Sequence, residues 1–186
     1  MTILRSFWLP LLNPTPTIPA FLSRHLCTSV RAFLHTNIKK LLGTTVSPHQ
    51  FPYETRLVVP GGLDCAVLEF TRENIPDELR DRKIFFYDFR SAIRLSEKEI
   101  LYLAGQLAEK LNLNPSNIKV LIPMGGWSEA DRKGGPLHDP TISDAFIQRL
   151  KHDLNSTIEV KEINLHINDP AFARLASTVM DGMLKI

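Results

Sequence analysis

Acidic residues are missing from the first part of this chain. Residues 1–53 contain no Asp or Glu, and their basic residues are Arg5, Arg24, Arg31, Lys39 and Lys40. From Glu54 onward acids outnumber bases, so the whole 186-residue chain has a formal net charge of only +2. This charge is too small to supply the phosphate-neutralising surface that nucleic-acid binding requires. We therefore predict no nucleic-acid partner.

Cysteine is also scarce, and long apolar runs are absent. Cys27 and Cys65 lie on either side of the charge boundary and form no CxxC pair. They offer neither a disulfide framework nor a metal-ligand spacing, so we predict no metal site and a reducing compartment. No apolar run reaches the roughly 18 residues that a membrane-spanning helix needs, so we predict no transmembrane segment.

The acid-free start has the composition of a mitochondrial presequence, which is rich in Arg and hydroxyl residues and poor in acids. Residues 21–42 fit a basic amphipathic helix, with apolar side chains four residues apart at Leu22, Leu26, Val30, Leu34 and Ile38. A disordered tail or a mistaken gene start explains the composition equally well. We predict that residues 1–53 form a tail outside the fold, and that the protein is cytoplasmic or in the mitochondrial matrix.

Strand and helix patterns alternate through residues 54–186, which we predict to be one α/β domain. Strands are predicted at residues 56–60, 66–70, 83–87, 118–122 and 157–163. A short surface helix is predicted at residues 74–80, and longer helices begin at Ser96, Asp139 and Asp169, the first with a capping box to Glu99. This order predicts a three-layer, Rossmann-like fold, in which a mostly parallel sheet has helices on both faces.

A long glycine-rich loop follows the predicted central strand. The apolar run at residues 118–122 is typical of a strand buried on both faces, and Pro123 ends it. Asp139 and Pro140 then form a helix start, with a capping side chain and a proline whose missing N–H is not needed. Ligands of open α/β sheets bind outside the carboxyl ends of the strands, so we predict a ligand loop at residues 123–140.

Three blocks carry a resemblance to a known family. They are VPGGLDCAVLEF at residues 59–70, the glycine-rich loop at residues 123–140, called the central loop below, and HINDPAFA at residues 166–173. The central loop fits the family pattern at Pro123, Gly126, Ser128, Asp131, Gly134, Pro136, Asp139 and Pro140. With these blocks, residues 55–186 resemble the C-terminal half of the Tm-one-like ATP-binding family, the tobamovirus-resistance type. Arg94 also fits a family arginine, whereas Gly125, Leu137 and the pair Tyr87-Asp88 depart from the family pattern.

The resemblance has consequences for ligand and partners. It implies a nucleotide-binding protein whose ATP site is associated with a domain preceding these blocks. The expected partners are therefore a missing N-terminal domain or another copy of the chain, together with a nucleotide or small-molecule ligand. ATP is the suspected cofactor of the complete family protein.

Individual residues in the loops have two interpretations. Backbone N–H groups and side chains that could bind a phosphate or cofactor are those of Gly61, Gly62, Asp64, Gly125, Gly126, Ser128, Gly134 and Asp139. No P-loop or GxGxxG pattern is present, so plain turn glycines are favoured, and Asp139 and Asp169 are expected to cap helices. Asp131, His138 and His166 are the catalytic candidates, because imidazole titrates near neutrality and Asp131 has no helix to cap. Structural histidines explain the same pattern.

Three functions remain open. The first is a C-terminal α/β domain of a nucleotide-binding protein, incomplete and without independent catalysis. The second is a standalone metal- or phosphate-dependent enzyme that uses Asp131, His138 and His166. The third is a non-catalytic interaction module. No nucleophile–base motif is present, so the sequence does not decide whether the protein is an enzyme.

Overall fold

The computed structural model describes residues 55–184. The strands are β1 (Arg56–Val58), β2 (Cys65–Leu68), β3 (Ile84–Phe86), β4 (Ser91–Arg94), β5 (Ile118–Pro123) and β6 (Glu159–Ile163). The helices in this range are α1 (Glu97–Asn112), α2 (Pro140–Asp153) and α3 (Pro170–Leu184), with 3₁₀ turns at Asp77–Leu79 and Glu129–Asp131. The predictions of a tail, a presequence and an amphipathic helix fall within residues 1–53 and lie outside the described residues.

A parallel sheet of order β1-β5-β6 forms the centre of the domain. Each neighbouring pair is joined by a helical crossover, α1 between β1 and β5 and α2 between β5 and β6. Two right-handed crossovers in the same direction place both helices on one face. Accordingly α1 and α2 pack against each other, and their apolar residues share one core with Val120 and Ile122 of β5.

Helix α1 begins and packs as its sequence predicts. Ser96 Oγ accepts a hydrogen bond from the Glu99 N–H, and the Glu99 carboxylate accepts from the Ser96 N–H, which completes the capping box. The apolar stripe of this helix is buried at Ile100, Leu103, Ala104, Leu107, Ala108 and Leu111. This stripe supplies much of the core above the parallel sheet.

The second face of the parallel sheet is also covered. Leu121 is fully buried but lies outside the core formed by its neighbours Val120 and Ile122. Successive strand residues point to opposite faces, so β5 is buried on both sides. Helix α3 contacts β1. The predicted three-layer α/β fold with a parallel sheet is therefore confirmed.

A second, antiparallel sheet of order β2-β4-β3 was not predicted. Strand β4 was missed because it is only four residues long and carries no alternation: all four of its residues are buried. The predicted surface helix at residues 74–80 was wrong in type, since only a three-residue 3₁₀ turn, Asp77–Leu79, forms there. The backbone is still extended at Pro76 (ψ 137°), so helical structure begins only at Asp77. The remaining residues of the predicted range are too few to form a stable α-helix.

The antiparallel sheet supports the central loop. On one face, Ala92 of β4 packs with Ala130 and Leu137 of that loop. On the other face, Ile93 packs with Phe70 and Leu79. The loop thus rests on a sheet that the sequence did not reveal. None of the described helices is long and apolar enough to cross a membrane.

Candidate functional site

The central loop runs from the carboxyl end of β5 to the N-terminus of α2. The loops that follow β1 and β6 meet it at the same edge, because the three strands are parallel. The Gly62 N–H donates to the Trp127 carbonyl at 2.8 Å, and the Gly125 N–H donates to the Leu165 carbonyl at 2.9 Å. The three sequence blocks are therefore adjacent in space, at the edge where open α/β sheets bind ligands.

A buried charge network holds this loop. Arg94 of β4 is 2% exposed, and its Nη1 lies 2.8 Å from Asp131 Oδ1 and 3.9 Å from Asp64 Oδ2. Arg94 Nη2 donates to Ser143 Oγ at 2.6 Å and to the Asp139 carbonyl at 3.1 Å. One guanidinium thus connects β4, the central loop and the start of α2.

Asp131 is a structural acceptor within this network. Its Oδ2 accepts the Trp127 N–H at 3.1 Å, while its Oδ1 binds Arg94. The side chain is 3% exposed. Both carboxylate oxygens therefore hold the loop to itself and to β4, although Asp131 also forms part of a cavity wall.

Asp64 completes the network from the loop after β1. Its Oδ2 accepts from Ser128 Oγ at 2.7 Å, and its buried Oδ1 has no hydrogen-bond partner among the described residues. Burial raises the pKa of Asp64 above its usual value, and the charge of Asp131 adds to this, against the hydrogen bond from Ser128 and the charge of Arg94. Burial likewise raises the pKa of the neighbouring Cys65 thiol, which disfavours a reactive thiolate.

His166 has both ring nitrogens engaged. Its Nδ1 accepts the Asn168 N–H at 3.1 Å, so the neutral ring carries its hydrogen on Nε2, which donates to the Ser128 carbonyl at 2.9 Å. His166 is 9% exposed. The ring therefore joins the loop after β6 to the central loop, as the structural interpretation of this histidine predicts.

His138 has a different environment. Its Nδ1 lies 3.1 Å from the Asp131 carbonyl, which can only accept, so Nδ1 is the donor. In the neutral ring Nε2 then keeps its lone pair, and no described residue binds it. His138 lines a cavity of about 90 Å³ together with Met124, Gly126, Trp127 and Asp144. Of the three catalytic candidates, His138 is the one with a ring nitrogen that no described residue binds.

Trp127 forms a wall of the same cavity and also belongs to the core. It is 2% exposed, and its ring packs edge-on against Phe146 with the centroids 4.9 Å apart. The ring is therefore buried in the core and not offered to solvent as a flat platform.

The glycines of the loop are required by close packing. A Cβ at Gly125 would lie 2.6 Å from the His166 nitrogen, and one at Gly126 would lie 2.4 Å from the Asp131 carbonyl oxygen. Gly126 also has φ +126°, and Gly62 has φ +69°. The N–H groups of Gly61, Gly62 and Gly125 donate to carbonyls within the chain. This agrees with plain turn glycines, whereas Gly134, with φ +81°, has nothing within 4 Å of an added Cβ.

Asp139 and Asp169, the two aspartates expected to cap helices, accept hydrogen bonds from different parts of the chain. Asp139 accepts the Ile142 N–H at 3.3 Å, as predicted, and its other oxygen lies 2.9 Å from Lys83 Nζ. Burial raises the pKa of Asp139, but the hydrogen bonds from Lys83 and Ile142 outweigh it and leave the pKa below its usual value. The Asp169 carboxylate instead accepts the His166 N–H at 2.8 Å, back towards the loop.

No group of three or more His, Cys, Asp or Glu side chains within residues 55–184 is arranged to hold a metal ion. The fold and the loop geometry define an α/β domain with a small cavity of mixed polar and apolar lining at the carboxyl edge of its parallel sheet. Residues 49–184 match the family model described as "Uncharacterised protein family (UPF0261) C-terminal domain". The chain therefore belongs to the UPF0261 family and contains its C-terminal domain.

The relatives are longer proteins. A UPF0261 protein of Brucella suis biovar 1 is 31% identical over 127 residues, which cover 68% of this chain and 30% of that protein. The ToMV resistance protein Tm-1(GCR237) of Solanum lycopersicum is 32% identical over 118 residues, or 62% of this chain and 15% of the tomato protein. A UPF0261 protein of Rhizobium meliloti is 29% identical over 119 residues. The chain thus spans about 30% of the length of its bacterial relatives.

Proposed function

We propose that this chain forms one wall of a nucleotide-binding or small-molecule site that other parts of the family protein complete, and that it has no catalysis of its own. The observation that carries this proposal is the cavity at the central loop. Its volume is about 90 Å³, whereas sites that enclose drug-sized ligands measure roughly 300–1,000 Å³. It can receive one group of a ligand, not a whole nucleotide.

The charges around the cavity support the same conclusion. Among the described residues that line it are Asp131 and Asp144, but no Lys or Arg. The nearest buried cation, Arg94, is already bound to Asp131, Ser143 and the Asp139 carbonyl. Phosphate groups are normally held by positive side chains or free N–H groups, so the phosphates of a nucleotide would need to be neutralised from outside this domain.

The length of the relatives supports an incomplete site. In the Brucella suis protein, about 70% of the chain lies outside the matched region. A ligand enclosed between two walls gains contacts from both, whereas one wall must offset the whole entropic cost of association with part of the contacts. The resemblance to the Tm-one-like family makes ATP the candidate ligand of the complete protein.

Within this wall, His138 is the residue that we expect to meet the ligand. The residue lines the cavity, Nδ1 is held by the Asp131 carbonyl, and no described residue binds Nε2. A histidine arranged in this way can accept a hydrogen bond from a hydroxyl or amino group, or take up its proton. Asp131 and His166 position the loop for it.

Calorimetric titration with ATP and Mg²⁺ tests the proposal on two proteins. We expect no saturable heat from the 186-residue chain below about millimolar ATP, and tighter binding by the complete Brucella suis relative, because only the latter supplies both walls. Micromolar ATP binding by a monomeric preparation of this chain would contradict the proposal that it forms only one wall of the site. Absence of binding by both proteins would contradict the nucleotide as ligand.

A further inference from the structure

Strand β3 is an edge strand of the antiparallel sheet. The order β2-β4-β3 leaves one side of β3 without a neighbouring strand among the described residues. Edge strands present unpaired N–H and C=O groups that can pair with another chain. The residues of β3, Ile84, Phe85 and Phe86, are apolar and only half-buried. An unpaired strand edge with half-buried apolar side chains favours pairing with a strand of another chain.

The register shows which backbone groups point outward. Tyr87 N–H donates to the Arg90 carbonyl at 3.0 Å and Arg94 N–H donates to the Lys83 carbonyl at 2.9 Å. Hydrogen-bonded and non-bonded residue pairs alternate along antiparallel strands. Phe85 and Ala92, which lie opposite each other, therefore also form a hydrogen-bonded pair. Ile84 and Phe86 therefore direct their N–H and C=O groups away from β4, and no described residue binds them.

A groove lies beside this free edge. Its volume is about 310 Å³, and it is formed by Phe85 together with Ala130, Gly135 and Pro136 of the central loop. Three charged side chains also line it: Arg132 and Glu129 form an ion pair of 2.7 Å, and Lys133 forms no ion pair among the described residues. The remaining lining is apolar, and Phe85 and Ala130 pack on the same face of the sheet. It offers space for a second aromatic side chain.

We propose that two copies of this chain associate through β3, which pairs in antiparallel fashion with β3 of a second copy about a two-fold axis at Phe85. In this register Ile84 forms hydrogen bonds with Phe86 of the partner subunit, and Phe86 does so with Ile84 of the partner subunit. Phe85 and Phe85 of the partner subunit form the close, non-bonded pair at the axis. Each Phe85 ring then extends the apolar contact into the other copy's groove.

The outward groups themselves favour a second copy as the occupant. A two-fold contact uses the same patch on both subunits, so it must be self-complementary, and the symmetric register satisfies all four outward groups of each β3. Lys83, at the start of the strand, is neutralised by Asp139 at 2.9 Å, which limits repulsion across the axis. Phe89, in the turn after β3, is 60% exposed and adds apolar area at the ends of the contact.

The contact is small, so the dimer is weak. Two paired three-residue strands and two grooves fall short of the roughly 1,200–2,000 Å² that standard stable interfaces bury. The association is therefore expected to depend on concentration over the micromolar to millimolar range. A tight dimer is not expected from this surface alone.

Sedimentation equilibrium of the complete chain over about 10 μM to 1 mM tests the proposal. Pro136→Arg places a charged side chain in the exposed groove wall, and Ile84→Pro removes an outward N–H that edge strands can lose. Ser116→Arg adds the same charge on an exposed turn distant along the chain and serves as the control. Circular dichroism verifies that each variant is folded.

We expect concentration-dependent dimerisation of the natural chain and of Ser116→Arg, and a dimer dissociation constant raised at least about tenfold, or about 1.4 kcal/mol, in Pro136→Arg and Ile84→Pro. A natural chain that stays monomeric up to 1 mM would overturn the proposal. A dimer that persists unchanged in both folded groove and edge variants would overturn it as well, since the contact would then lie on another surface.

Discussion

Histidines lie on both the inner and the outer side of the central loop, and their hydrogen bonds differ. On the inner side, His166 uses both ring nitrogens, and Asp131 uses both carboxylate oxygens, to hold the loop in place. On the outer side, His138 binds through one ring nitrogen only, and the residue lines a cavity. Residue type therefore does not distinguish the two histidines around this loop; their hydrogen-bond partners do.

Removing the centre of the inner network is expected to have the largest effect. Arg94→Met leaves Asp64 and Asp131 buried beside each other without a cation, and breaking a buried ion pair from one side costs about 3–5 kcal/mol. Urea denaturation measures the loss in the free energy of unfolding. Arg132→Met removes an exposed ion pair with Glu129 and is the control, with little change expected. Equal losses in the two variants would show that the network is not what holds the fold.

Adding one methyl group on each side of the loop sharpens the comparison. Gly126→Ala forces an alanine into φ +126° and against the Asp131 carbonyl, so we expect a loss of about 3 kcal/mol or more from strain and overlap together. Gly134→Ala meets only the strain of φ +81°, because nothing lies near its Cβ, and should cost about 1 kcal/mol. Thermal or urea unfolding of both variants reports the difference. The reverse order would mean that the inner side is not closely packed.

The two histidines provide a third comparison. His166→Ala removes a ring that is 9% exposed and leaves the half-buried Ser128 carbonyl without its donor, which should together cost about 1–3 kcal/mol. His138→Ala removes one contact at a partly exposed ring and should cost less. Unfolding free energies of the two proteins decide the order. If His138→Ala were the more destabilising change, His138 would be a structural residue and its assignment to the ligand side would be wrong.

A smaller effect is expected from the charge of Asp64. The folded state binds a proton at Asp64 more tightly than the unfolded chain does, because burial raises its pKa above 3.8. The ionised group therefore lowers stability above the folded-state pKa, and the penalty disappears as the pH falls below 3.8. Asp64→Asn should accordingly stabilise the protein at pH 7 and stabilise it less at pH 4. A loss of stability that is the same at both pH values would contradict this.

The sequence predicted most of the parallel half of the fold because its signals are local. The Ser96–Glu99 capping box, the Asp139-Pro140 start and the apolar run before Pro123 each depend on a few adjacent residues. Strand β4 escaped detection because much of its burial comes from β2 and from the central loop, which are distant in the chain. The antiparallel sheet and its support of the loop were missed with it.

The position of the candidate site could be predicted from the sequence, but the roles of its individual residues could not. Spacing along the chain indicated a loop at the strand ends, and the structure places the loops after β1, β5 and β6 together. The ion pairs of Arg94 with Asp64 and Asp131 join residues 30 and 37 positions apart, and no local pattern encodes them. Arg94 was noticed only through the family resemblance. Which histidine keeps a free nitrogen depends on the same distant contacts.

Amide chemical shifts recorded during an ATP titration of the complete chain test the central claim most directly, because they report affinity and location together. We expect weak, unsaturated shifts up to millimolar ATP, confined to the cavity at the central loop, near Gly126 and His138. Saturation at micromolar ATP, or shifts confined to the opposite end of the parallel sheet around Ser116, would contradict a one-walled site at this loop.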